Sequence, residues 1–437
     1  MYQIKGKDVI KEFDVKTAKE SIGQDVEICA CIHKVRQMSG FAFVILRTGK
    51  YIIQSIYSTD DCKDSLDGIK EGCYVKVLGT VADCEKSPNG IEVRLKKIEI
   101  LSKPAADYPL QVSHKKLGCS LDVNLDLRSV ALRNPAEKAI FRIQEGVVGG
   151  FRSFMVENGF TQVHTPKIVS QGAEGGANIF RLDYFDKDAF LAQSPQFYKQ
   201  TSVAFFDRVF EIAPVYRAER HATSRHLNEY IGLDFEMGYI DSMYDVMNME
   251  TALMHHIVAY LQENYSMELG ILDAKLPDIK EIPSVTFLEA MEILKSKGKS
   301  KFDLEPEDEV FLCEYAKKEF DSEFIFVTHF PAAKRPFYAM NDREDPRAAL
   351  SFDLLFRGLE ITTGGQRIND YDEQVAKIKA MGMNPDDLAS YLDAHKYGLP
   401  PHGGLGIGLE RLVMKLLNLQ NVRQASMFPR DLNRLIP

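Results

Sequence analysis

GGLGIGLER, Gly403–Arg411, runs directly into LVMKLLNL, Leu412–Leu419. The apolar spacing of the second part predicts an amphipathic helix. Glycines at 403, 404, 406 and 408 would clear side chains from the helix entrance, with Arg411 in the first turns. Such an entrance suits a polyphosphate, because unpaired N–H groups and the helix dipole favour anions there. A glycine-rich run by itself is more often a plain turn. This one gains weight from three upstream segments of matching chemistry.

FEIAPVYRAERHATSRHLNEYIGLDFEM, Phe210–Met237, reads as strand, loop, strand. Arg217, Glu219, Arg220, His221, Arg225 and His226 crowd the end of the first strand and its loop. Arginine offers phosphate oxygens a rigid fork that lysine cannot copy. In LEITTGGQRIND, Leu359–Asp370, Glu360 and Thr363 supply a carboxylate and a hydroxyl, hard ligands suited to a magnesium ion that also holds phosphates. Gly364 and Gly365 would let a small substrate approach the backbone, and Arg367 would point a fixed charge into that space. FLAQSPQFYKQ, Phe190–Gln200, puts Lys199 one helical turn after Gln196. A lysine and an arginine converging on one pocket suit a substrate that bears a carboxylate. Taken singly, each segment has a plainer reading: solvated loop charges, a bulged strand, a surface helix lysine.

The chain has 437 residues, enough for two or three domains, with an ordinary globular balance of 45% apolar and 27% charged residues. FAFVIL, Phe41–Leu46, is among the longest apolar runs and is far too short to span a bilayer. The start, MYQIKGKDVI, lacks the apolar core of a signal peptide, so a cytoplasmic location with no membrane partner is expected. The seven cysteines form no C-x-x-C pair and read as reduced structural thiols rather than a zinc site, with Cys29 and Cys31 sharing a strand face. Net charge is −9, but residues 1–103 carry 17 Lys/Arg against 15 Asp/Glu. That asymmetry permits a nucleic-acid contact at the N-terminus without demanding one.

Residues 24–101 alternate as five short strands broken by SG, TGK and SPNG, the pattern of a small barrel. Val26, Ile28, Ala30 and Ile32 would face its core. Lys34, Arg36, Phe41, Phe43 and Arg47 could form a basic and aromatic face for single-stranded nucleic acid, although spacing alone puts Phe43 in the core. KPAADYPLQVSHKK, Lys103–Lys116, reads as a linker. Beyond Asp126 come a helical stretch with Ile140, Ile143, Val147 and Phe151 on one face, strand-like TQVHTPKIV ended by Pro166, and a long amphipathic helix over Ser242–Tyr265. Without regular βαβ alternation, an α+β domain on a mainly antiparallel sheet fits best.

These segments resemble the three signature motifs of class II aminoacyl-tRNA synthetases. GFTQVHTPKIV is similar to motif 1, VYRAERHATSRHLNEYIGLDFEM to motif 2 and GGLGIGLER to motif 3. AQSPQFYKQ, FRGLEITTGGQR, YGLPPHGG and the closing FPRD resemble the aspartyl-tRNA synthetases of the compact archaeal and eukaryotic kind. The resemblance covers the whole chain. It implies a five-stranded anticodon-binding OB-fold barrel at residues 1–103, a linker at 104–125, and a catalytic domain at 126–437 on an antiparallel sheet flanked by helices.

It also implies the reaction. The carboxylate of L-aspartate attacks the α-phosphate of ATP, and the resulting adenylate acylates the 3′ end of tRNA(Asp), with tRNA(Asn) a second candidate. Arg217 would bridge the attacking carboxylate and the α-phosphate, with Arg411 on the opposite face; these are the implied catalytic residues. Ala218, Glu219, Arg225, His226, Leu227 and Tyr230 would take the nucleotide with Gly408, Leu409 and Glu410. Glu360 and Thr363 would hold Mg2+, the hydroxyl of Thr363 standing where some relatives have serine. Lys199 and Arg367 would pair with the side-chain carboxylate of aspartate, a dianion favoured by two buried cations. Asp234 and Gln196 would take its amino group, with Thr363 beside it and Glu174 in a closing loop. A homodimer through motif 1 is implied as well.

Three alternatives remain open at this stage: an asparaginyl-tRNA synthetase, an enzyme making asparagine through the same adenylate, and a catalytically dead tRNA-binding relative. The lysine and arginine of QFYKQ and GGQR weigh against the first, residues 1–103 against the second, and Arg217 with Arg411 against the third. Asn369 stands where many relatives have histidine, and Cys31 where many have tryptophan. The missing bulk at Cys31 leans toward relaxed tRNA recognition.

Overall fold

Apolar residues at every second position force each N-terminal strand to hide one face, and closing the sheet on itself is the solution this chain adopts. A computed structural model describes residues 13–172, 178–295 and 303–437. The chain separates into two compact units, Met1–Pro135 and Ala136–Pro437.

In the first unit, α1 (Val15–Glu20) is capped by Asp14, whose carboxylate accepts from the Thr17 N–H. It packs Val15 and Ala18 against Val81 and Ile91 of the barrel. Strands β1 (Asp25–Gln37), β2 (Ala42–Arg47), β3 (Ile52–Tyr57), β4 (Tyr74–Asp83) and β5 (Ile91–Ser102) close in the order β1-β2-β3-β5-β4. Ile28, Ala30, Ile32, Val44, Leu46, Val75, Val77, Val93 and Leu95 fill the barrel. Short helices α2 (Leu121–Asp126) and α3 (Arg128–Ala131) follow.

The barrel surface corrects three expectations. Phe43 is half-exposed rather than core, and its ring meets that of Phe41 edge-on at 5.3 Å. Arg47 is buried: its guanidinium donates to Arg133 O at 2.5 Å and to Cys31 Sγ at 3.3 Å, so it does not join the basic face. Cys29 is exposed but Cys31 is buried beneath Arg47, so Cys31 offers no surface for direct recognition.

The second unit opens with α4 (Pro135–Glu157), followed by β6 (Thr161–Gln162) and β7 (Ile168–Val169). The strand-like TQVHTPKIV thus forms two short strands. Then come β8 (Arg181–Tyr184), β9 (Lys187–Leu191), α5 (Gln196–Phe206), β10 (Arg208–Tyr216), β11 (Glu229–Gly238), α6 (Met243–Asn264) and α7 (Ser266–Leu272). After these lie β12 (Ser284–Thr286), α8 (Phe287–Lys295), α9 (Pro306–Phe320), β13 (Phe324–Thr328), β14 (Ser351–Phe356) and β15 (Leu359–Gln366). The unit ends with α10 (Tyr371–Ala380), α11 (Ala389–Tyr397), β16 (His402–Gly408) and α12 (Leu409–Leu416).

Eight strands form one sheet in the order β12-β13-β14-β15-β16-β11-β10-β6. All neighbours are antiparallel except β12 with β13 and β10 with β6. A separate three-stranded sheet runs β7-β9-β8. Helix α5 packs on β10 and β11, and α6 on β15 and β16.

The glycine run is itself a correction. Gly403–Gly408 is not a helix entrance but strand β16 in the middle of the large sheet, and only Gly408 caps the helix that follows. Its register explains the composition: Gly404 lies opposite Glu236 and Gly406 opposite Asp234. A Cβ at Gly404 would fall 2.2 Å from Glu236 Oε2, and one at Gly406 would fall 2.9 Å from Asp234 Oδ1. The missing side chains make room for two carboxylates.

Candidate active site

The sheet exposes a cavity of about 480 Å³ lined by residues of α5, β10, β11, β15 and β16, including Gln196, Lys199, Arg217, Tyr230, Asp234, Glu360, Thr363 and Arg367. A second hollow of about 110 Å³ shares Arg217, Tyr230, Glu360, Thr363, Gly406 and Gly408 with it, and adds Glu219, Arg225, His226, Leu227, Glu410 and Arg411. Segments more than 200 residues apart in sequence therefore meet around one space. Ala218 does not line either hollow, its N–H donating to Asn178 O at 3.1 Å, and Leu409 is buried in the core. Glu174 lies outside the described residues.

At one end, Lys199 reaches across from α5. Its Nζ is 3.0 Å from Asp234 Oδ1, 3.4 Å from Glu236 Oε2 and 2.8 Å from Leu405 O. Arg367 Nε is 2.9 Å from Glu236 Oε1, and Nη2 donates to Gly404 O at 2.8 Å. Two buried carboxylates thus face the two buried cations, a pairing within the wall that the sequence did not show. Burial raises Asp234 above the ordinary carboxylate range, with Lys199 opposing. Burial also works to raise Glu236, but the charges of Arg367 and Lys199 outweigh it and hold that carboxyl below its ordinary value. Behind them Lys167 bonds Glu211 at 3.0 Å, so the charged layer continues outward.

At the other end, the loop after β10 is tied down by Asn228, whose Nδ2 donates to Arg217 O at 2.7 Å and to Glu219 O at 3.0 Å. Arg217 Nη1 lies 3.9 Å from Glu219 Oε1. Arg225 forms an ion pair with Glu309 of α9, and the same Glu309 oxygen accepts the Glu360 N–H at 2.8 Å. Burial raises Glu309 despite the Arg225 charge. His226 is pushed down by burial and by Arg411. Arg411 Nη1 reaches Glu360 O at 3.1 Å and its carboxylate at 3.4 Å. Burial lifts Glu410 to about 7, and its carboxylate accepts the Ile231 N–H at 3.1 Å.

The donors for a divalent cation are hard oxygens. Thr363 Oγ1 lies 3.3 Å from Glu360 Oε1, and Asp353 pairs with Thr363 across β14 and β15. Asp353 bonds Arg335 at 2.8 Å through Oδ2, while its buried Oδ1 has no hydrogen-bond partner among the described residues. Burial, with the Glu360 charge adding, lifts Asp353 to about 6. Two carboxylates and a hydroxyl beside a row of arginines fit Mg2+, which keeps few protein ligands and shares phosphate oxygens. No group of three or more His, Cys, Asp or Glu fit for a metal occurs among the described residues, so no all-protein metal cage competes with this arrangement.

Residues 120–432 match the family described as tRNA synthetases class II (D, K and N). The chain belongs to that family. Residues 26–101 match the OB-fold nucleic acid binding domain. The chain is 42% identical over 429 residues to the aspartate–tRNA(Asp/Asn) ligase of Thermus thermophilus, covering 97% of this chain and 99% of that one. It is 37% identical to the aspartate–tRNA(Asp) ligase of Pyrococcus abyssi, covering 97% and 99%. Asparaginyl-tRNA synthetase of Pyrococcus horikoshii, solved with asparaginyl-adenylate, superposes with a TM-score of 0.91 at 30% identity, covering 98% of this chain and 100% of that one. Aspartyl-tRNA synthetase of Entamoeba histolytica gives 0.85 at 30% identity, covering 99% and 94%. No helix among the described residues of this class II synthetase is long and apolar enough to cross a membrane.

Sequence reasoning missed Glu236, Glu309, Asp353, Arg335 and His402. Two had a visible signal: Glu236 and Asp353 are acidic residues inside otherwise apolar strand runs, LDFEM and SFDLLF, where a buried charge needs a partner. Glu309 sits in an ordinary charged helix and gave none.

Proposed function

We propose that this class II synthetase is an aspartate–tRNA ligase, activating L-aspartate with ATP and passing it to the 3′ end of tRNA(Asp). The observation that carries the reading is the two-ended space: Lys199 and Arg367 at one end, Arg217, Arg225 and Arg411 at the other. An aspartate side chain would enter between Lys199 and Arg367, with its ammonium group toward Asp234 and Gln196 and its reacting carboxylate toward Arg217. Tyr230 offers a ring to the adenine, Glu219 an acceptor for its amino group, and Arg225 with His226 and Arg411 meet the phosphates. Holding carboxylate and α-phosphate in line replaces a chance encounter by a positioned one, and the arginines neutralise charge as the pyrophosphate leaves. Glu360 and Thr363, with Asp353 beside them, would hold Mg2+, which supplies charge neutralisation at the phosphate oxygens when bound.

Residues 1–103 are read as the anticodon-binding domain, 104–125 as the linker and 126–437 as the catalytic domain. The protein is read as a cytoplasmic homodimer joined through motif 1, with Glu174 in the loop that closes over the amino acid. The Asp/Asn names of relatives such as that of Thermus thermophilus support tRNA(Asn) as a second acceptor. The test is ATP–pyrophosphate exchange driven by aspartate, asparagine or lysine in turn, followed by charging of separated tRNA(Asp) and tRNA(Asn). Exchange is expected with aspartate alone. Exchange with asparagine alone would replace this reading with the asparaginyl one, and silence with tRNA(Asn) would remove the second acceptor.

A further inference from the structure

A run of hydrogen bonds that begins on a backbone carbonyl fixes which end of the Gln196 amide is available to a substrate. His402 Nδ1 lies 2.9 Å from Pro400 O. A carbonyl oxygen only accepts, so Nδ1 carries the ring proton. Burial pushes the imidazole down to about 4, so the ring is neutral and Nε2 keeps a bare lone pair. Glu236, Arg367 and His395 are the charged and titratable neighbours of the ring. The Gln200 amide stands 3.0 Å from that Nε2 and must turn its NH2 toward it. Its other end, Oε1, is then an acceptor, 2.9 Å from Gln196 Nε2. Gln196 directs its NH2 inward, and its oxygen is the end left for the cavity that it lines.

A second carbonyl keeps the neighbouring tyrosine from competing. Gln374 Nε2 donates to Phe337 O at 3.0 Å, so Gln374 Oε1 faces the Tyr391 hydroxyl at 3.2 Å. Tyr391 lies farther, 3.4 Å, from Gln200 Oε1, and its single proton goes to Gln374. Gln200 and His402 are wholly buried and do not line the cavity, so their order is set by protein groups.

We propose that Gln200 and His402 are positioning residues that set the polarity of the Gln196 amide, so that the pocket presents an oxygen acceptor to the ammonium group of its amino acid. A reversed amide would aim N–H dipoles at a cation. The substrate side of this inference rests on the aspartate-site reading; the polarity of the relay does not.

The test has two arms on the full chain. With ¹⁵N-labelled histidine and no substrate, the His402 signal is identified by its loss in His402→Gln. It is expected to show a protonated Nδ1 and a bare Nε2 throughout roughly pH 5 to 8. A protonated Nε2 in that window would overturn the proposal. In exchange kinetics, His402→Phe is expected to raise the aspartate KM about tenfold or more while the ATP KM stays within about twofold, the scale of a lost hydrogen bond to a charged group. His402→Gln keeps a donor for Pro400 and an acceptor for Gln200, and is expected to restore the aspartate KM to within about threefold of the unmodified enzyme. An aspartate KM unmoved in His402→Phe, or moved equally in both variants, would overturn the proposal. The expected tautomer without any aspartate-driven exchange would refute the functional reading instead.

Discussion

Replacing Glu250 by glutamine should change how stability depends on pH. Glu250 lies on α6 with its side chain fully buried, and neither carboxyl oxygen has a hydrogen-bond partner among the described residues. Burial pushes its carboxyl from 4.5 to about 8, with the Asp353 charge adding and the nearby Thr362 hydroxyl easing it only in part. The folded protein thus keeps a proton that the unfolded chain releases. A folded-state value above the unfolded one gives stability that is fully present below the unfolded value and is lost as pH rises toward the folded one. At 1.36 kcal/mol per pH unit, the loss between about pH 5 and about pH 8 is on the order of 3.5 kcal/mol. Glu250→Gln has nearly the same shape and no proton to lose, so that part of the pH dependence should vanish. For a unit the size of Ala136–Pro437, the corresponding change in Tm is roughly 5 °C. Thermal unfolding of both proteins across this window measures it, with the glutamine variant gaining on the parent as pH rises. A constant difference between the two, flat to within about 1 kcal/mol, would refute a neutral buried acid at this position.

Lys199→Met should do two things at once, because the ammonium pairs with Asp234 and Glu236 and, on the proposed reading, also meets the substrate. It leaves Asp234 and Glu236 short of one cation, a loss of about 3 kcal/mol or more in stability, and it should raise the aspartate KM and erode the preference for aspartate over asparagine; unfolding and amino-acid-dependent exchange measure these. A stable variant with an unchanged preference would sink the assignment. Glu309→Gln keeps an oxygen for the Glu360 N–H but loses the charge that holds Arg225, so the ATP KM should rise roughly threefold to tenfold with the aspartate KM steady. Movement of the aspartate KM alone would contradict the placement of Arg225 at the nucleotide end.

Much of the barrel was legible because alternation is local: Ile28, Ala30, Val75 and Val77 announce their face within a few residues. Arg367 and Arg411 were legible because each stands beside glycines, Gly364–Gly365 and Gly408, and Arg217 because it opens a dense run of charges; Lys199, in a segment without glycine, stood out through its helical spacing from Gln196 and the family resemblance. The role of the glycines was not legible. Gly404 and Gly406 look the same in sequence whether they open a helix or lie in a strand, and only the register with Glu236 and Asp234 distinguishes the two. Arg47 looked like a surface cation because nothing within the strand shows that Arg133 O and Cys31 wait beneath it. Glu309 escaped for the same reason, since it meets Arg225 84 residues away. Pairings set by tertiary register leave no periodic trace.

That register also changes the physical basis of selectivity. With no substrate present, Lys199 and Arg367 are balanced by Asp234 and Glu236, which is how four charges tolerate burial. In the proposed pose, aspartate would add an ammonium group near Asp234 and a carboxylate near Lys199 and Arg367, and the balance would be kept. Asparagine adds the ammonium without the second carboxylate, leaving one buried positive charge in excess at a cost on the order of 2–5 kcal/mol. The preference for aspartate then follows from neutrality with the substrate's own ammonium included, rather than from surplus cations in the wall. The same reasoning gives Lys199→Met its expected direction: with one cation gone, the asparagine complex is the neutral one.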